Sequence, residues 1–255
     1  MTSLTGRRAL VTGASRGIGR SIAQRLGAEG ATVAVHYGRS EQAAREVVQA
    51  IQAAGGAAFT VRADLDTAEG AQALWGAYDD AAAQQGLDTA VDILVNNAGV
   101  TLRGGIGEIS LEDFERQFSI NTRAPYLITQ EGLKRLSDGG RIINISSGVT
   151  RIAFPDILSY AMTKGAIDAM TLTLAAHLGP RGITVNAVAP GIVDTDINAS
   201  WLRGNDQAYR AAEQMSALGR VSQPQDIAGV VTFLAGDGAR AVTGQVIDAT
   251  AGSHL

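Results

Sequence analysis

Residues 8–19 read RALVTGASRGIG, a short apolar run that passes through a turn containing Gly13, Gly17 and Gly19 into a helical pattern. The stretch is predicted to be a strand, a sharp turn and the start of a helix. Glycine lets the backbone bend there, and the free N–H groups and dipole of a helix start attract an anion such as a pyrophosphate. The spacing is G-x-x-x-G-x-G and differs from the dinucleotide fingerprint G-x-G-x-x-G. Taken alone, the stretch is compatible with an ordinary turn as well as with a phosphate cradle formed by Gly13, Ser15, Arg16, Gly17, Ile18 and Gly19.

The same alternation runs outward to the end of the chain. Strands are predicted at 8–12, 32–36, 57–62, 92–96, 141–146, 183–188 and 245–248, and helices at about 17–29, 41–54, 67–84, 111–136, 160–178 and 224–235. Repeated strand–helix–strand units imply parallel pairing with right-handed crossovers, hence an α/β fold with an open, doubly wound sheet and helices on both faces. No proline- or serine-rich linker interrupts the pattern, which predicts a single domain over 1–255. Ser40 and Ser110 stand at N-cap positions, the latter with Asp113 resembling a capping box. Two segments break the rhythm, 84–91 and about 192–222, and the second carries Trp201, Tyr209 and Met215, enough apolar surface to close over a ligand.

Composition narrows the function. The 255 residues can bury a full core. Charged residues of both signs are interspersed and the net charge is −4, so no basic run exists to follow a nucleic-acid backbone. The absence of cysteine excludes disulfides, thiolate metal sites and a cysteine nucleophile, and is compatible with a cytoplasmic location. His36, His177 and His254 lack ligand spacing, so no metal site is predicted. The N-terminus has too short an apolar run for a signal peptide, and no stretch is long and apolar enough to span a bilayer.

Arg16 places a cation at the positive end of a helix, which is unfavourable by about 0.3–1 kcal/mol unless an anion lies between them or the side chain extends into water. After the second strand the chain reads VAVHYGRS, where His36, Tyr37, Gly38 and Arg39 precede any acid. A carboxylate there would bind the ribose hydroxyls of NAD; an arginine instead accommodates the 2′-phosphate of NADP. NADP(H) is therefore the predicted cofactor, with Arg16 and Arg39 around the phosphate and Ser40 assisting. In SYAMTKGAIDAM, 159–170, Tyr160 and Lys164 lie four positions apart and share one helix face. Surface helices also carry such pairs, so the rest of the chain must decide their meaning.

TGASRGIG at 12–19, NNAG at 96–99, Asn121, Ser147, Tyr160-x-x-x-Lys164 and PGIVDT at 190–195 together resemble, in order and spacing, the short-chain dehydrogenase/reductase family over essentially the whole chain. The resemblance implies a seven-stranded Rossmann-type sheet and hydride transfer between a nicotinamide and a carbonyl or secondary alcohol. It implies a catalytic tetrad of Asn121, Ser147, Tyr160 and Lys164, with Ser147 chosen over Ser146 because it precedes Tyr160 by the family's interval. It places Asp64 and Leu65 near the adenine, Asn96, Asn97, Ala98 and Gly99 along the cofactor cleft, and Pro190, Gly191, Ile192, Val193 and Thr195 around the nicotinamide and its phosphates. Lys164 also reaches the nicotinamide ribose in this family, and Asn121 is expected to hold a water behind Lys164. The tail DATAGSHL departs from the paired glycines of many relatives, which bears on subunit packing. Family members are commonly homotetramers or dimers.

The chemistry needs these residue types. A free tyrosine, with a pKa near 10, is a poor proton donor at neutral pH. An ammonium about 4 Å away acts on it by ~1 kcal/mol in water but ~4 kcal/mol at an effective dielectric near 20, so Lys164 is expected to acidify Tyr160 in a desolvated site. Ser147 would bind the substrate oxygen. The substrate walls are expected from 100–104, 148–156 and 192–218, with Ile152, Phe154, Ile197, Trp201 and Leu202 lining an apolar pocket. The substrate is expected to be a small carbonyl or alcohol; the branch resembled is the 3-oxoacyl-acyl-carrier-protein reductase type, which implies an acyl thioester on a carrier protein, and a general small-ketone or secondary-metabolite reductase is the equal alternative. Carrier-protein users tend to show a basic surface near the entrance, and Lys134–Gly139 reads as a candidate patch blunted by Asp138. A sugar-nucleotide epimerase and a catalytically silent NADP-binding regulator are the other classes compatible with parts of the pattern.

Overall fold

The apolar runs become β1 (Arg8–Val11), β2 (Thr32–Tyr37), β3 (Ala57–Arg62), β4 (Val91–Asn96), β5 (Leu136–Ile145), β6 (Thr184–Pro190) and β7 (Val246–Ala249). In the computed structural model, which describes residues 3–254, these seven strands form one sheet in the order β3-β2-β1-β4-β5-β6-β7, every neighbouring pair parallel. Helices α1 (Gly17–Ala28), α2 (Glu41–Ala53), α3 (Gly70–Gln84), α4 (Leu111–Phe118), α5 (Ala124–Gly132), α6 (Leu158–Leu178), α7 (Ala199–Leu202), α8 (Asp206–Gln214) and α9 (Pro224–Ala235) complete the chain. Successive strand residues point to opposite faces, so Ala9 and Val11 join one core with α1, α2 and α9, while Leu10 joins the other with α3, α5 and α6. Among the described residues no helix is long and apolar enough to cross a membrane.

The expected helix over 111–136 is broken into two. Pro125 has no N–H to give the carbonyl of Asn121, four residues earlier, and a π-helical turn at Ser119–Arg123 absorbs the mismatch between α4 and α5. The chain then enters β5 at Leu136, five residues before the expected start, through a register shift against β4 and a positive φ of 73° at Gly139. Ser110 caps α4 by accepting the N–H of Asp113 at 3.0 Å, whereas Ser40 stands before α2 without a side-chain cap.

The irregular segment at 192–222 contains α7 and α8, folded around Leu202, Ala212 and Val221 with Ile192, Trp201 and Tyr209 packed against them. Two isolated bridges tie it down, Val193 to Ser222 and Ser216 to Ser253. The second brings the C-terminal tail to this segment.

His36, at the end of β2, is 2% exposed. Its Nδ1 accepts the N–H of Gly13 at 3.0 Å and its Nε2 faces the carbonyl of Ala63 at 3.1 Å, which fixes the neutral Nε2–H tautomer. Both ring nitrogens are thus used inside the fold, so the ring braces the glycine turn while the residue also lines the cavity at the carboxyl ends of the strands. Burial lowers its pKa from 6.5 to about 4. Because the folded value lies below the unfolded one, the stabilisation is present above pH 6.5 and lost as the pH falls toward 4. Urea unfolding between pH 7 and pH 5 should show about 2 kcal/mol of lost stability from this group, absent in His36→Gln.

Candidate active site

Parallel pairing sets the carboxyl ends of all seven strands on one edge, and a cavity of about 700 Å³ opens there. It gathers the glycine turn (Gly13 and 15–19), the β2 end (36–40), Asp64 and Leu65, 97–99, Ser147, Tyr160, Lys164, 190–193 and Thr195. Ile152, Phe154, Ile197 and Trp201 line its other end.

The nucleotide end rests on backbone approach. Gly13 and Gly17 have φ of 62° and 54°, in the left-handed region, and a Cβ on Gly13 would stand 2.9 Å from Ala98 Cα. A Cβ on Gly19 would meet the Gly13 carbonyl at 2.3 Å, so α1 packs against the turn only because this position is bare. Asn97 locks the turn from β4, its Nδ2 donating to the carbonyls of Thr12 at 2.8 Å and Gly13 at 3.1 Å. No side chain caps α1 and no acid occupies its first turn, so the positive helix end faces the cavity uncompensated. This fits a pyrophosphate. Arg16 and Arg39 are exposed at the rim and, among the described residues, neither makes an ion pair, whereas the nearby Glu41 is held by Arg45. Two unpaired guanidiniums with no free acid between them match the 2′-phosphate of NADP.

The end that holds Ser147, Tyr160 and Lys164 joins β5 to α6. The Ser147 and Thr101 hydroxyls act on the Tyr160 hydroxyl to lower its pKa, but burial is the larger influence and raises it above 10.0. Lys164 is 4% exposed; its Nζ donates to the Ile145 carbonyl at 2.8 Å and lies 5.6 Å from the Tyr160 ring centre. Burial lowers its pKa to about 8, opposed by the charge of Asp168. The expected acidification of Tyr160 by Lys164 is therefore not what the fold itself produces: desolvation dominates both groups. At neutral pH the phenol keeps its proton and the amine remains mostly charged.

Two expected positions are corrected. Asn96 is buried within the sheet, donating to Asn144 at 2.9 Å and Thr129 at 3.3 Å, because side chains alternate and Asn97, not Asn96, faces the turn. Leu202 is 1% exposed in the core of the 192–222 segment, not on the cavity wall. Asn121, expected behind Lys164, has a side chain that clasps Val100, accepting its N–H and donating to its carbonyl at 2.8 Å each, and donates to Thr163 at 3.2 Å. It thereby holds the β4 loop against α6 behind Lys164.

Some contributors were missed. Thr101 fell within the expected wall with no role given, although a hydroxyl just after NNAG was visible. Asp168, one turn beyond Lys164, could have been found from the i+4 spacing. Ser253 and His254 line the cavity, and His254 packs edge-on against Phe154 at 6.4 Å, so the tail shapes the site where an effect on subunit packing was expected.

Comparison with known proteins agrees with this geometry. Residues 13–254 match the family described as enoyl-(acyl carrier protein) reductase. An uncharacterised oxidoreductase of Methylorubrum extorquens is 46% identical over 99% of each chain, and the versicolorin reductase of Emericella nidulans is 38% identical over 98% of this chain and 96% of its own. The crystal structure of the angucycline C-6 ketoreductase LanV with bound NADP is 47% identical with a TM-score of 0.94, covering 98% of this chain and 96% of that one. LanV with NADP and rabelomycin is 46% identical with a TM-score of 0.90, covering 98% and 97%. With the glycine turn, the free arginine pair and the Ser147–Tyr160–Lys164 arrangement on one cavity edge, the chain belongs to the short-chain dehydrogenase/reductase family and is an NADP(H)-dependent oxidoreductase.

Proposed function

We propose that this chain is a ketoreductase acting on a carbonyl of a polycyclic aromatic substrate, with Tyr160 as proton donor. The observation that carries this is that Ser147, Tyr160 and Lys164 line one cavity with the glycine turn and with apolar walls. NADPH held by the turn, Arg16 and Arg39 would supply the hydride. Ser147 and Tyr160 bind the carbonyl oxygen by hydrogen bonds that strengthen as charge develops on it. Tyr160, protonated at neutral pH, gives its proton to that oxygen, and the Lys164 ammonium stabilises the phenolate left behind. Asn121 keeps Lys164 in line by fixing the β4 loop and, through Thr163, the first turns of α6.

The flat-substrate reading is supported by the chamber walls, Ile152, Phe154, Ile157, Ile197, Trp201 and Met215, and by the likeness to LanV, whose structure holds rabelomycin. A carrier-protein thioester is the second reading. Against it, Arg103 pairs with Asp156, Arg151 with Asp248 and Arg203 with Asp194 and Asp196, leaving these cations occupied. The basic turn at Lys134–Gly139 leads into the N-terminal part of β5, the opposite end from the cavity, and Arg135 and Asp138 are paired with Asp79 and Arg181. Exposed Leu111, Tyr126, Met162 and Leu172 on α4, α5 and α6 support a homotetramer or dimer built on those helices, and the lack of cysteine fits a cytoplasmic setting.

NADPH absorbance should report turnover of polycyclic aromatic ketones about tenfold or more above acetoacetyl thioesters in kcat/KM. The reverse ranking would establish the thioester reading. Tyr160→Phe should lower kcat by about 10²-fold or more while the Kd for NADPH stays within about threefold. Arg39→Ala should raise KM for NADPH by about 10–100-fold and leave KM for NADH nearly unchanged, as loss of a charge-assisted bond to phosphate requires.

A further inference from the structure

Three consecutive residues at the end of β5 are each joined to one face of α6. Ser147 acts on the Tyr160 hydroxyl, the Ile145 carbonyl accepts from Lys164 at 2.8 Å, and between them the Ser146 hydroxyl donates to Asp168 Oδ1 at 2.5 Å. Positions 160, 164 and 168 succeed one another at one-turn intervals, so the three contacts form a single row. The first two belong to the proposed catalytic group. Ser146 is 2% exposed and lines the cavity, whereas Asp168 is half-buried and does not.

We propose that Asp168 is a positioning residue of the reaction, its carboxylate anchored by Ser146 so that its negative charge keeps Lys164 in the ammonium form beside Tyr160. The inference rests on the reading of Lys164 and Tyr160 above. An ammonium taken almost wholly out of water loses its charge unless an anion compensates. Among the described residues the charge acting on Lys164 is that of Asp168, and the Tyr160 ring lies beside the amine, both on α6; β5 offers the Ile145 carbonyl, and the π-helical turn offers Asn121, which does not titrate. Tyr160 is neutral over the working range, so Asp168 is the one compensating anion. A hydrogen bond from Ser146 removes the freedom of the carboxylate to swing into solvent. Ser146 thereby gains a function distinct from that of Ser147: it holds the acid and not the substrate.

The test is the pH dependence of kcat/KM for NADPH-driven reduction by the intact enzyme, with the NADPH Kd and thermal unfolding measured alongside. In wild type the alkaline limb should fall near pH 8, where Lys164 loses its proton. Asp168→Asn should move that limb to lower pH by about one unit, Asp168→Glu should restore much of it, and Ser146→Ala should move it in the same direction by less. A limb that stays put in Asp168→Asn, or a loss of rate equal at every pH, overturns the proposal. If Asp168→Asn does not fold, Ser146→Ala decides alone: a limb displaced downward supports the inference and an unmoved one sinks it. The two readings fail separately. An active Tyr160→Phe removes the proton-donor assignment whatever Asp168 does, whereas an inactive Tyr160→Phe with an unmoved limb in Asp168→Asn removes only the role of Asp168.

Discussion

The seam between β1 and β4 is the constraint on which the site depends. To one side of it the chain builds β2 and β3; to the other lie β5, β6 and β7. Loops leaving β1 and β4 therefore part in opposite directions and leave a crevice between them. Thr12 holds its base: its Oγ1 accepts the N–H groups of Asn97 at 2.9 Å and Ala98 at 3.0 Å, and Asn97 returns a bond to the Thr12 carbonyl. The glycine turn and the NNAG segment are thereby fixed to each other before either meets a ligand. Every later feature of the cavity is measured from this joint.

Around it, burial does most of the electrostatic work. His36, Tyr160 and Lys164 are all displaced toward their neutral forms by desolvation. For His36 the result is structural, a neutral ring that braces the turn. For the proposed catalytic pair it would set direction: a phenol that keeps its proton suits reduction, and a nearby cation would stabilise the anion only after the proton has gone. Oxidation of an alcohol by the same residues demands the reverse starting state, which a higher pH favours.

The substrate end follows a different logic. Arg103 lies over the Trp201 ring at 5.2 Å and pairs with Asp156, so one side chain joins the loop after β4, the 192–222 segment and the turn before α6. Arg151 likewise binds Asp248 and Thr250 near the tail. These cations knit the chamber walls together and leave an apolar interior, consistent with recognition by shape and stacking.

Local patterns in the chain were sufficient for much of this. Strand-and-helix alternation with short connections admits one sheet architecture, a glycine turn after the first strand has few other uses, and a tyrosine and lysine one turn apart must share a helix face. These are short-range facts, set by backbone sterics and by the 3.6- and 2-residue periods. Where a property depended on distant partners the chain could not disclose it. Asn96 and Asn97 look alike in sequence, and only strand register sends one into the sheet and the other to the turn. Pro125 interrupts a helical pattern whose break becomes visible only in the π-helical turn bearing Asn121. The proton affinities of Tyr160 and Lys164 depend on how completely water is excluded, which is a property of the packed molecule. That the tail enters the cavity, and that Asp168 meets Ser146, are contacts across 22 or more residues, decided by tertiary packing because no local rule couples positions so far apart.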